Sequence, residues 1–171
     1  MYSLNIPVPP VAKRIAADLA PELVPFRTVR KRPTIVVKRF GDAEPPDRLR
    51  EQLRPTLAGV RPFEARVTGV DTFDNPPNGD SPVVYLAVEG EGLRDVHERV
   101  VRDFGAVEGL EGGEYDPHVT LARGVGTDRD AVEDALDRLR ERDFGDVSWT
   151  VTELGIWTRE YREFATRFPL R

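Results

Sequence analysis

A strand–helix–strand–strand order occurs twice along this chain of 171 residues. That recurrence limits the possible folds more than any single motif does. The first copy begins with Thr34 to Phe40, a β-branched run stopped by Gly41. A helix over 47–58 follows, with Leu49, Leu53 and Leu57 on one stripe and Pro55 expected to kink or shorten it. Strict alternation then predicts a strand over 63–73, and Val83 to Val88 another. The second copy reads as a strand at 119–122, a helix at 128–142 and strands at 147–157 and 164–168. The copies are offset by about 80–86 residues. A helix over 93–104 follows the first copy. A strand over Leu4–Val8 and a helix over 11–22, opened by Pro9-Pro10, would complete the second. The segment Asp74 to Asp80 is a run of turn formers. The expected class is α+β: a single domain of two intertwined lobes, approximately 31–105 and 1–30 with 106–171. Each lobe is an antiparallel sheet with helices outside, and a central cleft lies between the pseudo-symmetric pair.

Composition removes several function classes. Cysteine is absent, so disulfides, thiolate metal sites and cysteine nucleophiles are excluded. No stretch approaches the ~18 apolar residues of a membrane span. The start, Met1 to Pro7, has no basic n-region, so a cytoplasmic location is expected. The net charge of −5 argues against a general nucleic-acid binder. Residues 1–40, however, hold eight Lys and Arg against only Asp18 and Glu22, while the remainder is strongly acidic. A local basic face on an acidic body suits a phosphate-bearing ligand, or is simply a solvated charged face. Lysine is scarce, with Lys13, Lys31 and Lys38 as its only examples against 30 acids, which points to a halophilic or GC-rich source.

Two histidines are present. His97 lies among charged residues of the 93–104 helix and is expected to be exposed. His118 opens Pro117-His118-Val119-Thr120-Leu121-Ala122-Arg123. Strand alternation puts His118 and Thr120 on one face and Val119 and Leu121 on the other. An imidazole moves protons near neutral pH, and a hydroxyl ~6–7 Å along the strand donates to a phosphate oxygen. The bland alternative is a histidine that only ties down a strand end. Lys38 shares the parity of Thr34 and Arg32. Arg123 has the opposite parity from His118 and reaches the same face only if the strand bulges.

The segment 117–123, in a chain of this length with a duplicated lobe, resembles the second signature of the two-histidine phosphoesterase superfamily. Within it the chain is most similar to the 2′-5′ RNA ligase, or LigT-like, proteins. The opening Met1 to Pro9 and the central Val83-Val84-Tyr85-Leu86-Ala87-Val88 support the likeness. The resemblance implies one His-x-Thr motif per lobe. The two histidines would act as general base and acid on a 2′,3′-cyclic phosphate or 2′-5′ phosphodiester, with no metal or other cofactor. It implies His118, Thr120 and Thr34 as catalytic residues and an RNA end or small phosphonucleotide as partner. The repeat offset maps Thr34 onto Thr120, which leaves Arg32 where the first histidine belongs. Arg32, Lys38 and Arg123 are the candidate phosphate holders, since a guanidinium holds phosphate but does not shuttle protons near neutral pH. Tyr115, Trp157 and Tyr161 are candidates for the rim or for base stacking. Three readings follow: a cyclic phosphodiesterase or 2′-5′ RNA ligase-like enzyme slowed by its missing histidine, a degenerate phosphonucleotide- or RNA-binding module, and a relative sharing only the fold. A monomer is expected, away from membranes.

Overall fold

Runs of Val, Ile and Leu alternating with polar residues form nine strands among the described residues, which are 1–42, 44–76 and 79–171 of the computed structural model. Pro77 and Asn78, within the turn-former run, lie outside them. The elements in chain order are β1 (Tyr2–Pro7), α1 (Pro10–Asp18), β2 (Phe26–Val29), β3 (Thr34–Gly41), α2 (Pro46–Leu57), β4 (Phe63–Phe73), β5 (Val83–Glu89), α3 (Glu91–Phe104), β6 (His118–Val125), α4 (Arg129–Arg140), β7 (Val147–Val151), β8 (Glu153–Thr158) and β9 (Glu163–Pro169). The class is α+β. Prolines open α1 and α2, where a missing N–H leaves no helical partner unsatisfied. Asp128 caps α4, its Oδ1 accepting from the amides of Asp130 and Ala131 at 3.0 and 3.3 Å.

The strands run antiparallel in the order β7-β4-β5-β6-β3-β1-β8-β9, with β2 paired to β6. Two four-strand halves therefore meet at β6 and β3, and one bridge, Ile35 with Val119, joins them. Pairings cross between the expected lobes, 31–105 and 1–30 with 106–171. β3 hydrogen-bonds to β1, and β6 to β5. Side-chain patterning specifies that a strand forms, but its neighbours depend on contacts far apart in sequence. Buried Leu, Val and Ile from the strands pack with Leu49, Leu53, Leu93, Val96, Val100, Ala135 and Leu139 of the helices in one core. The opposite face is less covered at the seam, where Thr34, Val36, His118 and Thr120 are half-buried.

Three local expectations are corrected. The segment 147–157 is two strands broken at Thr152. β2 was not foreseen, because the short run Phe-Arg-Thr-Val is mostly exposed and carries no alternation signal. His97 is 1% exposed rather than solvated: it lies on the apolar stripe of α3 beside Val96 and Val100. No helix among the described residues is long and apolar enough to cross a membrane.

Candidate functional site

β3 and β6 are built alike. Each has eight residues, and in each the fourth residue is extra in the pairing with its neighbour. Val37 is skipped between Asn5–Val36 and Leu4–Lys38; Leu121 is skipped between Tyr85–Thr120 and Val84–Ala122. These bulges reverse the alternation. Val37 and Lys38 both turn into the core, as do Leu121 and Ala122, and Arg39 and Arg123 then return to the open face. The seam bridge joins the second residue of each strand, Ile35 and Val119.

This register differs from the sequence alignment by two residues. Thr34 corresponds to His118, Val36 to Thr120 and Arg39 to Arg123. Further out, Phe73 lies in the row of Val83 and Arg123, and Trp157 in the row of Ser3 and Arg39. The same chain separation relates all four pairs. The first motif is therefore Thr34-x-Val36, and it lacks both the histidine and the threonine of the second. Arg32 does not occupy the missing position. It precedes β3, is exposed, and donates from Nη1 to the carbonyl of Arg162 at 3.3 Å. Sequence alone could not locate the bulges, because Val-Val and Leu-Ala satisfy either register.

Lys38 is also corrected as a phosphate holder. The bulge buries it at 3% exposure, where Nζ lies 2.8 Å from Glu111 Oε2. Arg39, which the sequence reading passed over, takes its place on the open face. Arg123 lies on the same face as His118, because β6 bulges.

His118 opens β6 against Phe73 and Tyr85, with ring centroids 5.1 and 5.0 Å away, and those two rings stack at 4.2 Å. Its Nδ1 is 2.6 Å from the Asp116 carbonyl oxygen. A carbonyl only accepts, so Nδ1 carries the proton and Nε2 the lone pair. Burial holds the imidazole below its ordinary value of 6.5. The Asp116 carbonyl opposes that shift, and the guanidinium groups of Arg39 and Arg123 add to it. The tyrosine hydroxyl of Tyr85 is pushed up by burial and by Asp116.

On the other half, Asn5, 1% exposed, donates to Thr34 Oγ1 at 2.7 Å. Asn5 holds the place on β1 that Tyr85 holds on β5, opposite the third residue of the motif strand. The antiparallel sense of the bridge sets Thr34 on the Thr120 side and Val36 on the His118 side. Two hydroxyls thus flank the seam. Around them lies a group of guanidiniums. Burial lowers the affinity of Arg123 for its proton, and Arg30, Arg39 and Arg159 lower it further. Arg30 is lowered by burial and by Arg162 and Arg159. Such a concentration of positive charge is stabilised by an anion.

Tyr115 is not a rim residue. It is 4% exposed, stacks on His97 at 3.7 Å and donates to the Val36 carbonyl at 3.1 Å. Trp157 is half-buried with its indole edge-on to Phe164 at 5.0 Å, on the same face of the sheet as Arg39. Tyr161 is exposed in the turn after β8. No group of three or more metal-ligating side chains occurs among the described residues.

The profile of the 2′-5′ RNA ligase superfamily matches residues 11–163. A curated relative, an RNA 2′,3′-cyclic phosphodiesterase of Methanothermobacter thermautotrophicus, is 30% identical over 124 residues. The match covers 70% of this chain and 65% of that protein. A solved structure from Thermus thermophilus aligns with a TM-score of 0.68 at 19% identity, covering 99% of this chain and 97% of that one. The structure of E. coli LigT complexed with 3′-AMP aligns at 0.58 and 17% identity, covering 99% and 96%. At these identities the two structures establish a shared fold.

Proposed function

The chain belongs to the 2′-5′ RNA ligase superfamily, and we propose that its seam site opens the 2′,3′-cyclic phosphate of an RNA end or nucleotide. The curated relative's activity and the 3′-AMP held by E. coli LigT support this substrate class. The observation that carries the reading is the 2.6 Å contact of His118 Nδ1 with the Asp116 carbonyl, which leaves Nε2 as a base. Water attacks phosphorus while Nε2 takes its proton, and one ribose oxygen leaves as its P–O bond breaks. Thr34 and Thr120 donate to the non-bridging oxygens, and Arg39 and Arg123 offset the charge that develops there. The leaving oxygen is protonated by solvent, because Thr34 stands where a second imidazole would serve. The reaction belongs to RNA processing in the cytoplasm.

A second reading, a phosphonucleotide-binding module, is favoured by one feature: Thr34 and Val36 cannot supply the missing acid. An assay with a 2′,3′-cyclic nucleotide separates the two. Turnover is expected, and His118→Ala should lower it by about 10²–10⁴-fold while 3′-AMP still binds. Binding without turnover in the native protein selects the module. Turnover indifferent to His118→Ala refutes the catalytic assignment.

A further inference from the structure

Lys38, Glu111, His97 and Tyr115 are buried and titratable, yet the proposed chemistry uses none of them. All four converge on one short stretch of backbone, the bulge of β3. The Tyr115 hydroxyl donates to the Val36 carbonyl at 3.1 Å. His97 Nδ1 is 2.7 Å from the Val37 carbonyl, which accepts its proton, and His97 Nε2 accepts from the Gly112 amide at 2.8 Å. Lys38 Nζ donates to Glu111 Oε2 at 2.8 Å. The Arg39 amide donates to Glu111 Oε1 at 2.7 Å, and the Arg39 guanidinium lies 3.9 Å from the same oxygen. Glu111 is secured in turn by the Val107 amide at 2.9 Å.

A bulge leaves a residue unpaired in the ladder, so its polar groups need partners elsewhere. Here the Val36 and Val37 carbonyls and the Arg39 amide find theirs in the segment 111–117 or in the α3 face stacked against it. That segment runs directly into His118, whose Nδ1 rests on its Asp116 carbonyl. At the β6 bulge Ala122 stands where Lys38 does, so no lysine is buried at that position. The buried Lys38–Glu111 pair therefore belongs to the half that carries Arg39.

We propose that Glu111, with Tyr115 and His97, is a positioning device that pins the β3 bulge and so holds Arg39 beside His118. It rests on the functional reading above only in taking Arg39 as a phosphate holder. Glu111 touches no substrate in this scheme and acts through Arg39.

Two readouts test it. The first needs no ligand. His97 and His118 are the chain's only histidines, so comparison with His118→Ala assigns the His118 NMR signal. Arg39 depresses His118, so Arg39→Ala should raise its midpoint. Lys38→Met with Glu111→Gln removes both buried charges at similar volume, and should raise the midpoint likewise as the guanidinium moves away. The second readout is 3′-AMP affinity. Arg39→Ala should weaken it about tenfold or more, as for a lost charge-assisted hydrogen bond. The paired substitution should weaken it similarly in the native background, and add nothing in the Arg39→Ala background.

An unmoved His118 midpoint, or a further loss of affinity on top of Arg39→Ala, overturns the positioning role. If the midpoint moves but 3′-AMP ignores Arg39→Ala, the positioning role stands and the phosphate-holding role of Arg39 fails. Tyr115→Phe, which removes a single hydroxyl from the same bulge, is the parallel variant should the pair not fold. It should shift His118 in the same direction by a smaller amount, and no shift refutes the proposal.

Discussion

Placing an imidazole at position 34 should increase turnover, whereas placing one at position 32 should not. The bulge-based register puts Thr34 in the role of His118 and Val36 in that of Thr120. Thr34→His with Val36→Thr therefore rebuilds the first motif. A positioned proton-transfer group contributes ~10²–10⁴ in rate, or about 3–5 kcal/mol of barrier. The structural cost falls on Asn5. Its amide now donates to Thr34 at 2.7 Å from a nearly sealed site, and its Oδ1 already has no partner there. Leaving that amide unpaired would cost about 1–3 kcal/mol, which for a chain of this size lowers Tm by roughly 2–4 °C per kcal/mol. The rebuilt protein should thus melt somewhat earlier and turn over faster. The assay is hydrolysis of a 2′,3′-cyclic nucleotide across pH, with far-UV CD as the folding control. The native profile should show one acid limb, and the rebuilt protein a bell, because an acid then joins the base. Arg32→His, at an exposed position whose side chain donates to the Arg162 carbonyl, serves as the control. A rate increase from Arg32→His, or a folded Thr34→His/Val36→Thr protein with unchanged rate and a single limb, would refute the register.

Three further outcomes are expected. Because burial depresses His118, the acid limb of native kcat/KM should have its midpoint below 6.5, with the base form already dominant at neutral pH; a midpoint above that value contradicts the burial argument. The same shift makes the folded protein lose stability as pH falls through about 6.5, where the unfolded chain takes up a proton the native imidazole resists. Separately, Gly155→Ala should lower Tm by several degrees, since a Cβ there would sit 2.5 Å from the Phe164 ring and 2.7 Å from the Thr166 carbonyl. A melt within about a degree of native would show that β9 yields freely.

The readings that held rested on periodicity. The strand over 63–73 and the helix beginning near 93 follow from alternation and from an apolar stripe, which act within a few residues. His118 and Thr120 share a face because they sit ahead of any bulge, so parity counting applied to them directly. The same counting failed four residues further along each strand. Lys38 went to the core and Arg39 to the open face because Val37 is looped out. His97 looked solvated among Arg94, Asp95, Glu98 and Arg99. Its burial depends on the Val37 carbonyl and the Gly112 amide, which no helical pattern could announce.

Local chemistry, then, determined where strands and helices form, that the chain repeats itself, and that one imidazole with a neighbouring hydroxyl stands at the start of the sixth strand. The tertiary structure decided which residue takes the imidazole's place on the other half of the sheet, and it put Thr34 there. The physical reason is that a side chain's face depends on the number of residues between it and its pairing partner. A single extra residue inverts that parity, and only the neighbouring strand, distant in sequence, sets where the extra residue falls.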